Sequence, residues 1–139
     1  MKKINYSQFI EKLHSEAMRA RWKTFYDDES DSLFWTKQPV PSDNRLAKVA
    51  KEITFYLDKG GIVNGVIIQP FLSNFLSHNE EIAGVAKVLT NTKDKISPQE
   101  LKTAESLLST TIKKDIYQDI AETKYSLKDL NHFLASASK

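Results

Sequence analysis

The chain of 139 residues contains no cysteine, which excludes disulfide bonds, thiolate nucleophiles and cysteine-based zinc sites. It has only four glycines, and they form no glycine-rich phosphate loop. The nucleophile elbow of hydrolases and the two-histidine helix motif of zinc proteases are also missing. The sequence therefore predicts that this protein is not an enzyme.

Long hydrophobic runs are missing as well. The most apolar stretch, residues 60–76, is interrupted by Asn64, Gln69 and Ser73 and is shorter than the about 20 apolar residues that cross a bilayer. Near the start of the chain, Asn5 and Gln8 interrupt the apolar core that a signal peptide requires. We therefore expect a cytoplasmic protein without a membrane partner.

An excess of one charge is also absent, because 20 lysines and arginines are balanced by 18 acidic residues. A net charge of +2 does not by itself indicate nucleic acid or an anionic membrane as the partner. Hydrophobic residues make up 40% of the chain and charged residues 27%, as in ordinary globular domains. A chain of this length can bury a substantial core, so we assign residues 1–139 to a single domain.

The clearest positive signal is a helix that starts at Ser97. The Ser97 side chain can accept a hydrogen bond from the amide of Glu100 while the glutamate reaches back, and Pro98 suits the first helical position. Apolar residues then recur every three or four positions, at Leu101, Ala104, Leu107, Leu108, Ile112, Ile116 and Ile120. This spacing predicts one long amphipathic helix.

Five other segments show helix start signals and similar spacing. The first runs from Ser7 to about Tyr26, and the second from Ser42 or Asp43 to Gly60. The others begin at Gln69-Pro70, at Asn79 and at Ser126, and residues 135–139 form a frayed tail. Together with the long helix they predict an all-α protein, a single compact bundle of five to six helices.

Residues 62–68 allow two interpretations. Asn64-Gly65 between apolar arms is a strong hairpin signal, but arms of two or three residues are too short to stand alone. No other segment offers a good strand to pair with them, so a helix is favoured over a hairpin.

A long irregular loop over residues 27–41 follows the first predicted helix. Acidic and serine residues open it, and two prolines extend it. Phe34 and Trp35 lie inside this loop. Large aromatic residues in a loop either pack onto the core or are exposed and bind a partner. The spacing leaves open whether Trp35 and Trp22 lie in the core or on the surface.

We predict a non-enzymatic protein–protein interaction module, such as an adaptor, an inhibitor or immunity protein, or a regulatory protein. It would bind its partner through the first helix and the loop that follows, where residue types common in interface hot spots are concentrated. The predicted partner-binding residues are Arg19, Arg21, Trp22, Tyr26, Phe34 and Trp35.

The alternative is a nucleic-acid-binding regulator that uses the basic face of the first helix. Positive charge and a stacking ring are concentrated there at Lys12, Arg19, Arg21, Trp22 and Lys23. The acidic run just beyond the helix would repel a phosphate chain, so protein binding is favoured.

No metal or other cofactor is predicted. The three histidines, His14, His78 and His132, lie on three different predicted helices and lack the one-turn spacing of a zinc motif. The acidic run that begins at Asp27 resembles a calcium loop but lacks its turn glycine and final glutamate. Asp115 lies one helical turn from Asp119, and we expect this pair to be exposed to solvent.

Overall fold

The computed structural model describes residues 6–38, 44–60 and 62–123. Two short helices come first, α1 (Tyr6–Glu11) and α2 (Leu13–Arg19). Five strands follow: β1 (Lys23–Asp27), β2 (Ser32–Thr36), β3 (Arg45–Lys48), β4 (Ile53–Leu57) and β5 (Val63–Ile68). The second half contains a π-helix (Phe71–Phe75), a 3₁₀-helix (Leu76–His78), α3 (Glu80–Ala83), α4 (Ala86–Leu89) and the long α5 (Pro98–Thr123).

The strands form one antiparallel sheet in the order β1-β2-β5-β4-β3. The predicted all-α helical bundle is therefore wrong, and the fold is a mixed one in which helices accompany a sheet. Among the described residues, no helix combines the length and apolar character that a membrane crossing requires.

The second predicted helix, which was expected to end at Gly60, is replaced by β3 and β4. Leu46, Ile53 and Leu57 fit a helical spacing, but the residues between them decide the structure. In β4, Ile53, Phe55 and Leu57 are buried while the residues between them are half-buried. This period of two, in a segment rich in β-branched and aromatic residues, is that of a strand with one face on the core.

The first predicted helix ends at Arg19 instead of continuing to Tyr26. Arg21 adopts a left-handed φ of 57°, and its amide bonds to the carbonyl of Met18. The next amide, that of Trp22, bonds to the carbonyl of Ala17. This pair of bonds is a Schellman motif with arginine at the position that glycine usually occupies, so the sequence carries no glycine stop signal.

Residues 62–68 are neither a helix nor a hairpin, because Val63–Ile68 form the continuous strand β5. It pairs with β2 on one side and β4 on the other. Gly65 does not make a turn here. It lies directly against Thr36 on β2, where a side chain would collide with its neighbour.

The described part of the predicted loop over residues 27–41 is largely a hairpin, since β1 and β2 pair through a short turn, and residues 39–41 lie outside the described residues. Within the turn, Asp27 accepts hydrogen bonds from the amide of Glu29 (3.3 Å) and the hydroxyl of Ser30 (2.7 Å). Its acidic and serine residues therefore shape a tight turn rather than a long loop.

The long helix is confirmed, together with its start. The amide of Glu100 donates to Ser97 Oγ (3.1 Å), and the amide of Ser97 donates to Glu100 Oε1 (3.3 Å). The buried stripe of α5 contains the predicted residues Ala104, Leu108, Ile112 and Ile116. The predicted helix from Asn79 to Leu89 is broken into α3 and α4, and the helix predicted at Pro70 is the π-helix.

The start of the second predicted helix, at Ser42 or Asp43, lies outside the described residues. The helix predicted from Ser126 and the tail over 135–139 also lie outside them.

Within the described part, α5 packs against one face of the sheet, which we call the inner face. Trp35 and Phe55 lie on this face, where Trp35 contacts α5 and Phe55 contacts Phe9 of α1.

Asp31 ties the hairpin turn to the π-helix. It has a left-handed φ of 51°, and its carboxylate accepts bonds from the Tyr26 hydroxyl (2.6 Å) and from the amides of Leu72 (2.8 Å) and Ser73 (3.0 Å). Burial by itself would raise the pKa of Asp31, but hydrogen bonds from these three residues outweigh it and lower the pKa to about 2. The ionised carboxylate therefore holds the first turn of the π-helix.

We expect Asp31→Asn to lower the free energy of unfolding by about 1–3 kcal/mol at neutral pH, because the amide has no charge and one acceptor fewer. The folded pKa of about 2 lies below the ordinary 3.8. The wild type therefore carries this stability above the ordinary pKa and loses it as the pH falls through about 2. Urea titrations should show that the difference in unfolding free energy between the wild type and Asp31→Asn shrinks as the pH is lowered from neutral toward about 2. A difference that stays the same in neutral and acidic solution would contradict this role.

Gly65→Ala should destabilise the protein by about 2 kcal/mol, because the added Cβ would lie 2.8 Å from the Thr36 Cα, which is backbone. Gly84→Ala is the matched control, since a Cβ there meets nothing within 4 Å and the backbone is helical. We expect this variant to be about 0.5 kcal/mol more stable than the wild type. Thermal melts of the two variants measure both effects, and equal melting temperatures would refute the close approach of β2 and β5.

Candidate functional site

The structure places both tryptophans in the core. Trp22 and Trp35 are buried, and their rings meet edge to face with centroids 5.5 Å apart. The Trp35 indole nitrogen donates a hydrogen bond of 3.0 Å to the buried carboxylate of Glu105. The spacing left open whether Trp22 and Trp35 lie in the core or on the surface, and their burial places both in the core.

The other predicted partner-binding residues are dispersed. Tyr26 points to the inner face, where its hydroxyl is bonded to Asp31. Arg19 is paired with Glu16 (2.8 Å) and lines a cleft of about 520 Å³ between α2 and the start of β5. Arg21 is exposed at the end of α2. Only Phe34 joins a larger apolar surface, on the opposite face of the sheet.

That opposite face, the outer face, carries an apolar patch that sequence reasoning missed. Phe25 is 62% exposed on β1, and its ring lies 6.1 Å from that of Phe34. The strand register aligns Phe34 with the half-buried Ile67 of β5. In the neighbouring row, half-buried Tyr56 stands opposite Leu46, which is 61% exposed. We call Phe25, Phe34, Leu46, Tyr56 and Ile67 the outer patch.

Two lysines flank the outer patch. By the alternation of side chains along a strand, Lys23 of β1 shares the outer face with Phe25, and Lys48 of β3 shares it with Leu46. Both lysines are exposed. The outer face therefore combines apolar residues with two exposed lysines, and by the same alternation the half-buried Asp27 of β1 also shares this face.

A second arrangement lies on the inner side, where three segments distant in sequence meet. Glu52 precedes β4, His78 ends the 3₁₀-helix and Asp115 lies on α5. The His78 Nε2 atom lies 2.6 Å from Glu52 Oε1 and 3.4 Å from Asp115 Oδ1. Both carboxylates are buried, whereas the His78 side chain is 44% exposed.

The electrostatics of this histidine–carboxylate cluster are set by burial. Burial raises the pKa of Glu52, and the nearby His78 partly opposes it. Burial also raises the pKa of Asp115, and His78 and Asn79 partly oppose that shift. Glu52 is held from its other side by the Asn74 amide, which donates to Oε2 (2.6 Å).

The cluster corrects two expectations from the sequence. Asp115 was predicted to be exposed beside Asp119, but it is buried on the side of α5 that meets His78. Asn79 was predicted to cap a helix, but its side chain donates to the Phe75 carbonyl instead (2.9 Å). The sequence signal that was available was an acidic residue in register with the apolar stripe of α5, three positions after Ile112.

No protein-family model, curated protein or solved structure matches this chain.

The Trp35–Glu105 contact generates a stability prediction. Burial raises the pKa of Glu105, and the indole hydrogen bond only partly opposes it. A raised folded pKa means that stability is lost as the pH rises from the unfolded pKa through the folded one. Glu105→Gln keeps an acceptor for the indole and cannot ionise, so we expect it to be more stable than the wild type at alkaline pH and similar in acid. Melting temperatures across the pH range measure this, and a variant less stable than the wild type at alkaline pH would exclude it.

Proposed function

We propose that this protein is a non-enzymatic interaction module that binds another protein on the outer face of its sheet. The observation that carries the proposal is the exposure of two large apolar residues, Phe25 at 62% and Leu46 at 61%, on the edge strands of the same sheet face. Large exposed apolar patches with polar rims are typical of protein interaction sites. Phe34, one of the residues predicted from the sequence, lies within it.

The charges on this face indicate the chemistry of the partner. Lys23 and Lys48 are exposed beside the patch. A complementary surface has an apolar ridge flanked by aspartate or glutamate, since opposite charges at the rim steer association and set the register. We therefore propose a partner protein with an acidic rim. We further propose a cytoplasmic location for the encounter.

Nucleic-acid binding is less well supported by the surface. The predicted stacking ring of Trp22 is buried, and Arg19 is already paired with Glu16. A basic helix without its aromatic residue retains only salt-dependent contacts to phosphate.

The test compares three proteins in nuclease-treated native extract: the wild type, the double variant Phe25→Ser/Leu46→Ser, and Leu72→Ser. Leu72 is a matched control, because it is an exposed leucine (42%) on the π-helix and outside the outer patch. We expect a stoichiometric companion that wild type and Leu72→Ser retain and the double variant loses. With the purified companion, titration calorimetry should show a Kd weakened about 30-fold or more, as for loss of a hot-spot residue.

Three outcomes would overturn the proposal. One is a companion that all three proteins bind equally well. Another is a dimer of this chain, seen by light scattering, that the double variant alone dissociates, because the face would then bind a second copy. The third is a companion that disappears on nuclease treatment and depends on Arg21, which would support nucleic acid instead.

A further inference from the structure

The histidine–carboxylate cluster places one imidazole against two buried carboxyl groups. The charged groups that act most strongly on Glu52 are His78 and Asp115, and those that act on Asp115 are His78 and Asp119. One imidazole therefore faces at least two buried carboxylates. Burying charge without compensation is costly, and proteins resolve it with a partner of opposite charge or with a metal ion.

The buried Asn79 side chain beside the cluster has one unsatisfied atom. Asn79 is fully buried, and its side chain lies against the Asp115 carboxylate. The amide nitrogen of Asn79 donates to the Phe75 carbonyl, but its Oδ1 atom has no hydrogen-bond partner. Buried polar atoms are normally satisfied, so each exception requires an explanation. The Asn79 side chain also hydrogen-bonds to the Asp115 carboxyl, and this contact only partly opposes the effect of burial on the pKa of Asp115.

The spacing of the donor atoms suits a metal ion of ordinary size. One donor atom from each of Glu52, His78 and Asp115 lies within 4.8 Å of the other two. The 3.4 Å between His78 Nε2 and Asp115 Oδ1 is close to the edge of a tetrahedron whose bonds to zinc are about 2.0–2.1 Å. The shorter 2.6 Å contact with Glu52 is a hydrogen bond that would open when the ion replaces the proton.

We propose that Glu52, His78 and Asp115 bind one Zn²⁺ ion. An imidazole nitrogen with two carboxylate oxygens, and no sulfur, is a donor set that zinc accepts, whereas calcium and magnesium prefer oxygen donors alone. The half-exposed His78 ring leaves the site open toward solvent, so water can complete the coordination. The site joins β4, the 3₁₀-helix and α5, so the ion would also hold these elements together.

Zinc titration of the chelator-treated full chain tests the site. Isothermal calorimetry should give one zinc per chain for the wild type, and a hundredfold excess over the Kd should raise the melting temperature by about 10 °C. His78→Ala should weaken binding about 100-fold, and Asp115→Asn should also weaken it strongly. His14→Ala is the control, because His14 lies on α2 and is not one of the three grouped donor residues, and we expect less than about a twofold change.

Cobalt supplies a readout that does not depend on stability. The wild type should give the visible absorption of tetrahedral Co²⁺ coordination, and His78→Ala should not, provided that its far-ultraviolet circular dichroism remains that of the wild type. The absence of zinc binding by the wild type would overturn the proposal. So would an equal loss of affinity in His14→Ala and His78→Ala, or magnesium or calcium binding in place of zinc.

Discussion

The packing of α5 against the inner face is the constraint on which the rest of the molecule depends. Side chains alternate along a strand, so placing Trp35 of β2 under the helix sends its neighbour Phe34 to the other side. The same parity buries Phe55 of β4 and directs Tyr56 outward. The outer patch is therefore a consequence of which face the helix covers, and the apolar residues there are not needed for the core.

The described part of α5 also brings two carboxyl groups into the interior, at Glu105 and Asp115. Glu105 meets the Trp35 indole, whereas Asp115 meets His78 and Asn79. Ten residues of helix separate the two acids, which corresponds to about 15 Å along its axis. The Trp35 indole donates a hydrogen bond to Glu105, and this bond only partly opposes the rise in the pKa of Glu105 that burial causes. Asp115 shares its surroundings with a second carboxylate, and this difference is why only the second place attracts a cation.

The sequence predicted those parts of the fold and of the candidate site whose structure is determined by residues close together in the chain. It did not predict the parts that depend on contacts between distant segments. The start and stripe of α5 lie within one segment, and the sequence predicted them. The end of α2 uses Arg21 in a conformation usually reserved for glycine, so no stop signal was visible. Gly65 reads as a turn until Thr36 is placed beside it by tertiary structure. The site at His78 combines three distant segments, and no spacing in the sequence could show that they meet.

The Asp31 carboxylate connects the β1–β2 hairpin to the π-helix through hydrogen bonds. It closes the turn of the hairpin that presents Phe25, and it fixes the start of the helical segment that ends at His78. A change in the length of that turn would therefore shift the histidine as well as the hairpin. For anyone transplanting the hairpin into another scaffold, the transferable unit is not residues 23–36 alone but these strands together with residues 70–78.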